Sequence, residues 1–179
     1  IRTLGQLTSL SLSVKGCELE GLGPLAGLSK LQQLQLVWGS EKEESSRRLG
    51  LEPLVSLRST LTRLVLSSKG DGAVDWDVPL LQQLTQLREL ELQSLRKWGW
   101  LNVGPLAGLT QLQHLALKFG RDMAALDELG QLCGLGQLSS LELAAAGYRG
   151  LAGLTGLTSL RRLVLGAPNP HEEPFREGQ

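Results

Sequence analysis

Only two cysteines, Cys17 and Cys133, occur in the 179 residues, and no Cys-x-x-Cys pair is among them. Two thiols cannot build a disulfide scaffold, so a reducing, intracellular compartment (cytoplasm or organelle) is expected. Asn-x-Ser/Thr sequons are absent too, since Asn102 precedes Val103-Gly104 and Asn169 precedes Pro170. Excess charge of either sign is missing: 18 basic residues face 18 acidic ones. That argues against nucleic acid or an anionic membrane surface as the main partner, because such binders usually need a positive excess. No apolar run approaches the roughly 18 residues of a membrane span, so no membrane insertion is expected. No signal peptide is visible. Ile1 falls in the middle of a repeat, which leads one to expect a processed protein or a piece of a longer one.

Aromatic residues make up 4% of the chain. Leucine fills the apolar quota instead, and its spacing is regular. "GPLAGL" occurs at Gly23–Leu28 and again at Gly104–Leu109. Aligning each Leu-x-Leu that follows leucines spaced by three yields seven units. The first leucine of the pair falls at 10, 34, 64, 90, 115, 141 and 163, giving spacings of 24, 30, 26, 25, 26 and 22. The chain is therefore a tandem array over residues 1–166, followed by a Pro- and charge-rich tail at 167–179.

The two periods within a unit predict its structure. Leu-x-Leu has period two, which puts both leucines on one face of a short strand. The preceding Leu-x-x-Leu-x-x-Leu has period three, which suits a 3₁₀ or short helical turn. Gly-Pro before it ends the previous segment and presets the turn. One unit cannot bury its leucines alone, whereas stacked units can, with parallel strands about 4.8 Å apart.

This pattern resembles the leucine-rich repeat family, whose unit reads Leu-x-x-Leu-x-Leu-x-x-Asn/Cys-x-Leu. "GPLAGLTQLQHLAL" looks most like the short units of internalins and related intracellular repeats. The resemblance covers roughly residues 4–166. It implies an α/β solenoid, a curved right-handed superhelix of about seven repeats, with a parallel β-sheet on the concave face and 3₁₀ or short helical turns on the convex face. The match stops at the Asn/Cys position, which is occupied by Lys15, Gly39, Lys69, Leu95, Gly120, Ala146 and Pro168. The family's side-chain ladder should be missing, and longer, less regular loops are expected after each strand.

Residues between and beside the paired leucines project from the concave face in three columns. The first is Ser9, Gln33, Arg63, Glu89, His114, Ser140 and Arg162. The second is Ser11, Gln35, Val65, Glu91, Ala116, Glu142 and Val164. The third is Ser13, Val37, Ser67, Gln93, Lys118, Ala144 and Gly166. Glu89, Glu91 and Glu142 should gather around His114, with Arg63 and Lys118 near, and Arg162, last in the first column, is a further candidate. This is either a mixed-charge docking patch or an ordinary solvated sheet face.

Six aromatics follow strands: Trp38, Trp76, Trp98, Trp100, Phe119 and Tyr148. They are rim anchors for a partner or plugs for loops that lack the Asn ladder. Plugging is the expectation for Trp38, Phe119 and Tyr148. Trp76, Trp98 and Trp100 are the candidates for rim binding, foremost the pair in "RKWGW".

Other motifs carry less. Glu43 and Glu44 precede Arg47 and Arg48 by four in "GSEKEESSRRLG", which would suit a salt-bridged helical turn or a docking insertion, with a solvated loop the safer expectation. "KGDGAVDWD" lacks the closing glutamate of a calcium loop and reads as a loop. "GLGPLA" formally fits a phosphate loop, but Pro24 sits inside it and the repeat accounts for it. Cys17 and Cys133 lie about five repeats apart, on the order of 24 Å, too far for a disulfide. A metal site at His114 with Glu89 or Glu91 is conceivable, but a surface histidine is commoner.

The expectation is thus a non-catalytic protein-binding or scaffolding module without cofactor or metal, in one form a subunit of a larger assembly. Its partner would be another protein, and further repeats or a partner would cover its N-terminal edge. Two alternatives stay open. A ubiquitin-ligase substrate-recognition arm needs an adaptor box outside this segment. A receptor-type ligand-binding domain would bring disulfide caps and sequons, which this sequence lacks.

Overall fold

The computed structural model describes residues 4–15, 22–40, 47–48, 51–70, 74–75, 78–94, 99–120 and 123–167. Eleven strands follow in chain order: β1 (Ser9–Lys15), β2 (Gln33–Ser40), β3 (Arg47–Arg48), β4 (Arg63–Gly70), β5 (Val74–Asp75) and β6 (Glu89–Ser94). The remainder are β7 (Gly99–Asn102), β8 (His114–Phe119), β9 (Met123–Asp127), β10 (Ser140–Ala144) and β11 (Arg162–Gly166).

Seven of them form one parallel sheet in the order β1-β2-β4-β6-β8-β10-β11. The register pairs leucine with leucine throughout: Leu10, Leu34, Leu64, Leu90, Leu115, Leu141 and Leu163 form one row. Leu12, Leu36, Leu66, Leu92, Leu117, Leu143 and Leu165 form the other. A slip by one residue would move both rows to the solvent face, so burial specifies the register.

The connections carry short 3₁₀ segments at Gly23–Gly27, Glu52–Leu57, Gly104–Gly108, Leu129–Gly134 and Leu151–Gly156. A four-residue α-helix, Val78–Leu81, replaces one of them. Pro24, Pro53 and Pro105 sit in the first turn, where a missing N–H costs nothing. The leucine period of three coincides with hydrogen bonds three residues apart. Leu28 N–H donates to Leu25 C=O and Leu31 N–H to Leu28 C=O, both at 2.9 Å.

A backbone ladder links successive units just before each strand. The carbonyl of Thr8 accepts the N–H groups of Gln32 and Gln33, and that of Gln32 accepts those of Thr62 and Arg63. The same fork repeats at Thr62, Arg88, Gln113 and Ser139. Thr62 Oγ1 and Ser139 Oγ add bonds to the Gln32 and Gln113 carbonyls at 3.1 and 3.0 Å.

Where they are described, the segments after the strands are more regular than the missing Asn position suggested. β3 pairs with β5 and β7 with β9, both in parallel, and Leu126 bridges to Tyr148. Backbone groups there find their partners on the backbone of the next unit, which needs no side-chain ladder. Two local expectations change with this. Arg47 and Arg48 form a strand rather than a helical turn, and Val74–Asp75 is a strand within the expected loop. Residues 41–46 lie outside the described part, as do Cys17 and, apart from Ala167, the tail.

The leucines of the described units make a single core, most of them 0–1% exposed. Each contributes about 1.5–3 kcal/mol by the usual transfer scale. Phe119 belongs to this core as well. It ends β8 and continues the inward alternation of Leu115 and Leu117, so it is not a residue that follows the strand. Its row also contains Ser68 and Ser94, which are buried.

The last unit is less well covered, with Leu163 47% and Leu165 46% exposed. Burial therefore predicts a gradient in amide hydrogen exchange. Amides of β8 should exchange most slowly, and those of β11 should exchange at least tenfold faster. Equal protection across the two strands would contradict the gradient.

Candidate functional site

The open face of the seven-stranded sheet carries the three columns anticipated from the alternation. Arg63, Glu89, His114, Ser140 and Arg162 align across five neighbouring strands in the first. Val65, Glu91, Ala116, Glu142 and Val164 align in the second, and Ser67, Gln93, Lys118, Ala144 and Gly166 in the third.

The charges on this face sort into two groups. Arg63 Nη1 pairs with Glu89 Oε2 at the outer column. Lys118 Nζ lies 3.3 Å from Glu91 Oε1 and 3.5 Å from Glu142 Oε1, and Arg162 Nη1 lies 3.8 Å from Glu142 Oε2. The sequence explains the second group. Glu91 and Glu142 sit on strands either side of β8, and the residue between them is Ala116, whose methyl leaves room. Lys118, two residues along the same strand face, reaches back into that room and bridges both carboxylates.

His114 stands between Glu89 and Ser140 in register. The trio has the residue types of a carboxylate–imidazole–hydroxyl relay, but its geometry is otherwise. Glu89 turns to Arg63, and no hydrogen bond joins His114 to Glu89 or Ser140 among the described interactions. The expectation that all three glutamates surround His114 is met only in part: Glu89 and Glu91 line a depression with it, and Glu142 belongs to the Lys118 group. This depression measures about 400 Å³ and is also lined by Arg63 and Ser140. A second one, about 220 Å³, opens where Ala144 and Gly166 succeed Gln93 and Lys118 in the third column. Falling side-chain size along a column was its signal in the sequence. Among the described residues there is no group of three or more His, Cys, Asp or Glu placed to hold a metal ion.

The rim candidates fare differently. Trp76 and Trp98 lie outside the described residues, and Trp100 is placed only by its backbone, within β7. Tyr148 packs against the core and plugs the loop after β10. Its hydroxyl lies 2.5 Å from the Gly166 carbonyl oxygen and 3.0 Å from that of Leu143, and accepts the Ala145 N–H at 3.2 Å. It thereby ties β10 to β11. Cys133 is an exposed free thiol in a 3₁₀ turn, away from the open face.

Among the described ion pairs only Arg63–Glu89 is exposed on both sides, and such a pair contributes about 0.2–1 kcal/mol, less than one buried leucine. The Lys118 group is half-buried, with the Glu91 side chain 15% exposed. Lys118→Ala leaves two half-buried carboxylates without their shared cation and is expected to destabilise the chain by about 1–2 kcal/mol, at or below the lower end for a core leucine. A thermal melt that drops as far as for a core leucine would show that the bridge is structural.

A parallel sheet with leucine pairs in constant register, backed by 3₁₀ turns, has counterparts among solved structures. An internalin from Listeria monocytogenes superposes with a TM-score of 0.55 at 21% identity, over 90% of this chain and 48% of its own. The fold is a leucine-rich-repeat solenoid. An internalin C2 from the same organism gives a TM-score of 0.55 at 19% identity, covering 93% of this chain and 76% of its own. The chain thus spans about half the length of the first internalin. No protein-family profile matches the sequence, and no curated protein matches it. At these identities the likeness concerns the fold.

Proposed function

We propose that the chain is a non-catalytic protein-binding module and that it binds through the open face of its sheet. The observation that carries this reading is the division of labour between the two faces of each strand. The inward residues are leucines that supply most of the stability, while the outward ones form aligned columns whose exposed or half-buried ion pairs add less to it. A mixed-charge patch on a rigid sheet suits recognition of a protein surface by complementary charge, which fixes register and suppresses wrong partners. The internalin-type fold supports a repeat scaffold of this kind.

A photo-crosslinking side chain at Ser140, on the open face, should capture a defined partner that excess unlabelled chain displaces. The same group at Thr110, in a turn on the other side, should not. Equal capture from both positions would contradict the reading. Loss of capture from Trp98→Ala with Trp100→Ala, with Ser140 adducts unchanged in a parallel Glu89→Lys variant, would move the site to the rim. Turnover of any substrate that is abolished by His114→Ala with the fold intact would replace the binding reading with a catalytic one.

A further inference from the structure

The C-terminal edge of the sheet combines exposed leucine side chains with open backbone groups on the same two residues. Among the described residues β11 has a neighbouring strand on one side only, β10. In a parallel pair, the N–H and C=O of one residue point to the same neighbouring strand, and alternate residues point to opposite ones. Arg162 N–H donates to the Ser139 carbonyl, so Arg162, Val164 and Gly166 address the β10 side. Tyr148 on the Gly166 carbonyl agrees with this. Leu163 and Leu165 therefore turn their backbone groups to the open edge, and their side chains are 47% and 46% exposed. Leu151, at 38%, extends the apolar surface to the turn below. The opposite edge differs, because the β1 leucines Leu10 and Leu12 are half-buried.

We propose that a second copy of this chain covers the edge by antiparallel pairing of β11 with β11 about a twofold axis at Val164. Only one register satisfies all three constraints at once. Leu163 opposite the other copy's Leu165, taken twice, sets the open N–H and C=O groups of both residues against each other in hydrogen-bonded pairs. Side chains directly opposite in such a pair share a face, so the four leucines meet on the core side and the two cores become continuous. On the open face Arg162 falls beside Gly166 of the other copy, which has no side chain and no charge to oppose it. A register shifted by two residues would put Arg162 beside Val164 and leave part of the open groups unpaired. Residues 168–179 are a poor substitute, since they hold three prolines and Phe175 as their one large apolar side chain. Pairing leaves both open faces exposed, so the inference stands apart from the binding reading above.

Sedimentation of the full chain at about 100 μM should show a species of twice the 19.3 kDa chain mass. Leu163→Lys with Leu165→Lys should return it to the monomer, whereas Leu4→Lys should not. A monomeric full chain, or a dimer that survives the double substitution, would overturn the proposal. Monomeric full chain with a dimer after deletion of residues 168–179 would assign the edge to the tail instead, and equally overturn it. Val164→Cys, in a background of Cys17→Ser and Cys133→Ser, gives an answer that does not depend on the edge leucines. On the axis, opposed Cα atoms of a pair without hydrogen bonds lie about 4.5 Å apart, within disulfide reach. Mild oxidation should crosslink that variant at least tenfold faster than a Ser11→Cys control in the same background. Equal rates would contradict the axis at Val164.

Discussion

Leu115→Ala is expected to lower stability by about 2–5 kcal/mol, the range for a fully buried leucine whose site cannot collapse. Leu115 is 0% exposed on β8, between Leu90 and Leu141 in the same row. The neighbouring leucines are held by their own units and cannot move in to fill the space. For a chain of this length each kcal/mol corresponds to roughly 2–4 °C in the melting midpoint. The position adds a second effect. A stacked array is stable through nearest-neighbour contacts, so weakening a central unit weakens the coupling of both halves. The melt should broaden or divide as well as shift. Leu163→Ala, at the half-exposed edge, should cost less than half as much. Thermal denaturation followed by circular dichroism compares the two, and equal shifts would contradict a continuous core that fades at β11.

The second large effect is expected from one added methyl group. A Cβ at Gly153 would lie 2.2 Å from Gly130 Cα and 3.0 Å from the Gly130 carbonyl oxygen. Both are backbone atoms, with no flexible side-chain end to swing aside. The turns of the last two units, Leu129–Gly134 and Leu151–Gly156, must therefore part if Gly153 becomes alanine. Overpacking of this kind costs about 1–3 kcal/mol, and more where backbone meets backbone. The loss should be local: amides of 151–166 lose protection while β4 and β6 keep theirs. Gly134→Ala is the control. Nothing lies within 4 Å of its added Cβ, and the substitution should be neutral or slightly stabilising. Loss of equal size at both glycines would contradict the close approach of the two turns as its cause.

Much of this architecture was legible in the spacing of leucines because burial and backbone geometry leave few alternatives. Period two and period three in one unit name a strand and a 3₁₀ turn, and a constant Leu-x-Leu landmark gives the register. The open-face columns follow from the same alternation. Phe119 was within reach of that logic, since one more step of period two from Leu117 places it inward. The bridging role of Lys118 was not, because it depends on side-chain direction and on the gap left by Ala116. The forked carbonyl ladder at Thr8, Gln32, Thr62, Arg88, Gln113 and Ser139 uses the backbone alone, so no residue type marks it. The same holds for β7 and β9, whose pairing replaces a side-chain ladder. Gly130 and Gly153 look like ordinary turn glycines in the sequence, and only the stacking of two turns reveals what they allow.

The central claim is that leucines build this molecule while the open-face charges give it its function. Glu91→Gln with Glu142→Gln tests both halves at once, since it removes two charges and keeps the side-chain shapes. The melting midpoint should stay within about 4 °C of the parent, because the half-buried amides keep the shape of the carboxylates and still accept hydrogen bonds from Lys118. Recovery of the partner crosslinked from Ser140 should fall at least tenfold, which corresponds to about 1.4 kcal/mol of binding. Unchanged recovery, or a melt that collapses like that of Leu115→Ala, would contradict the account.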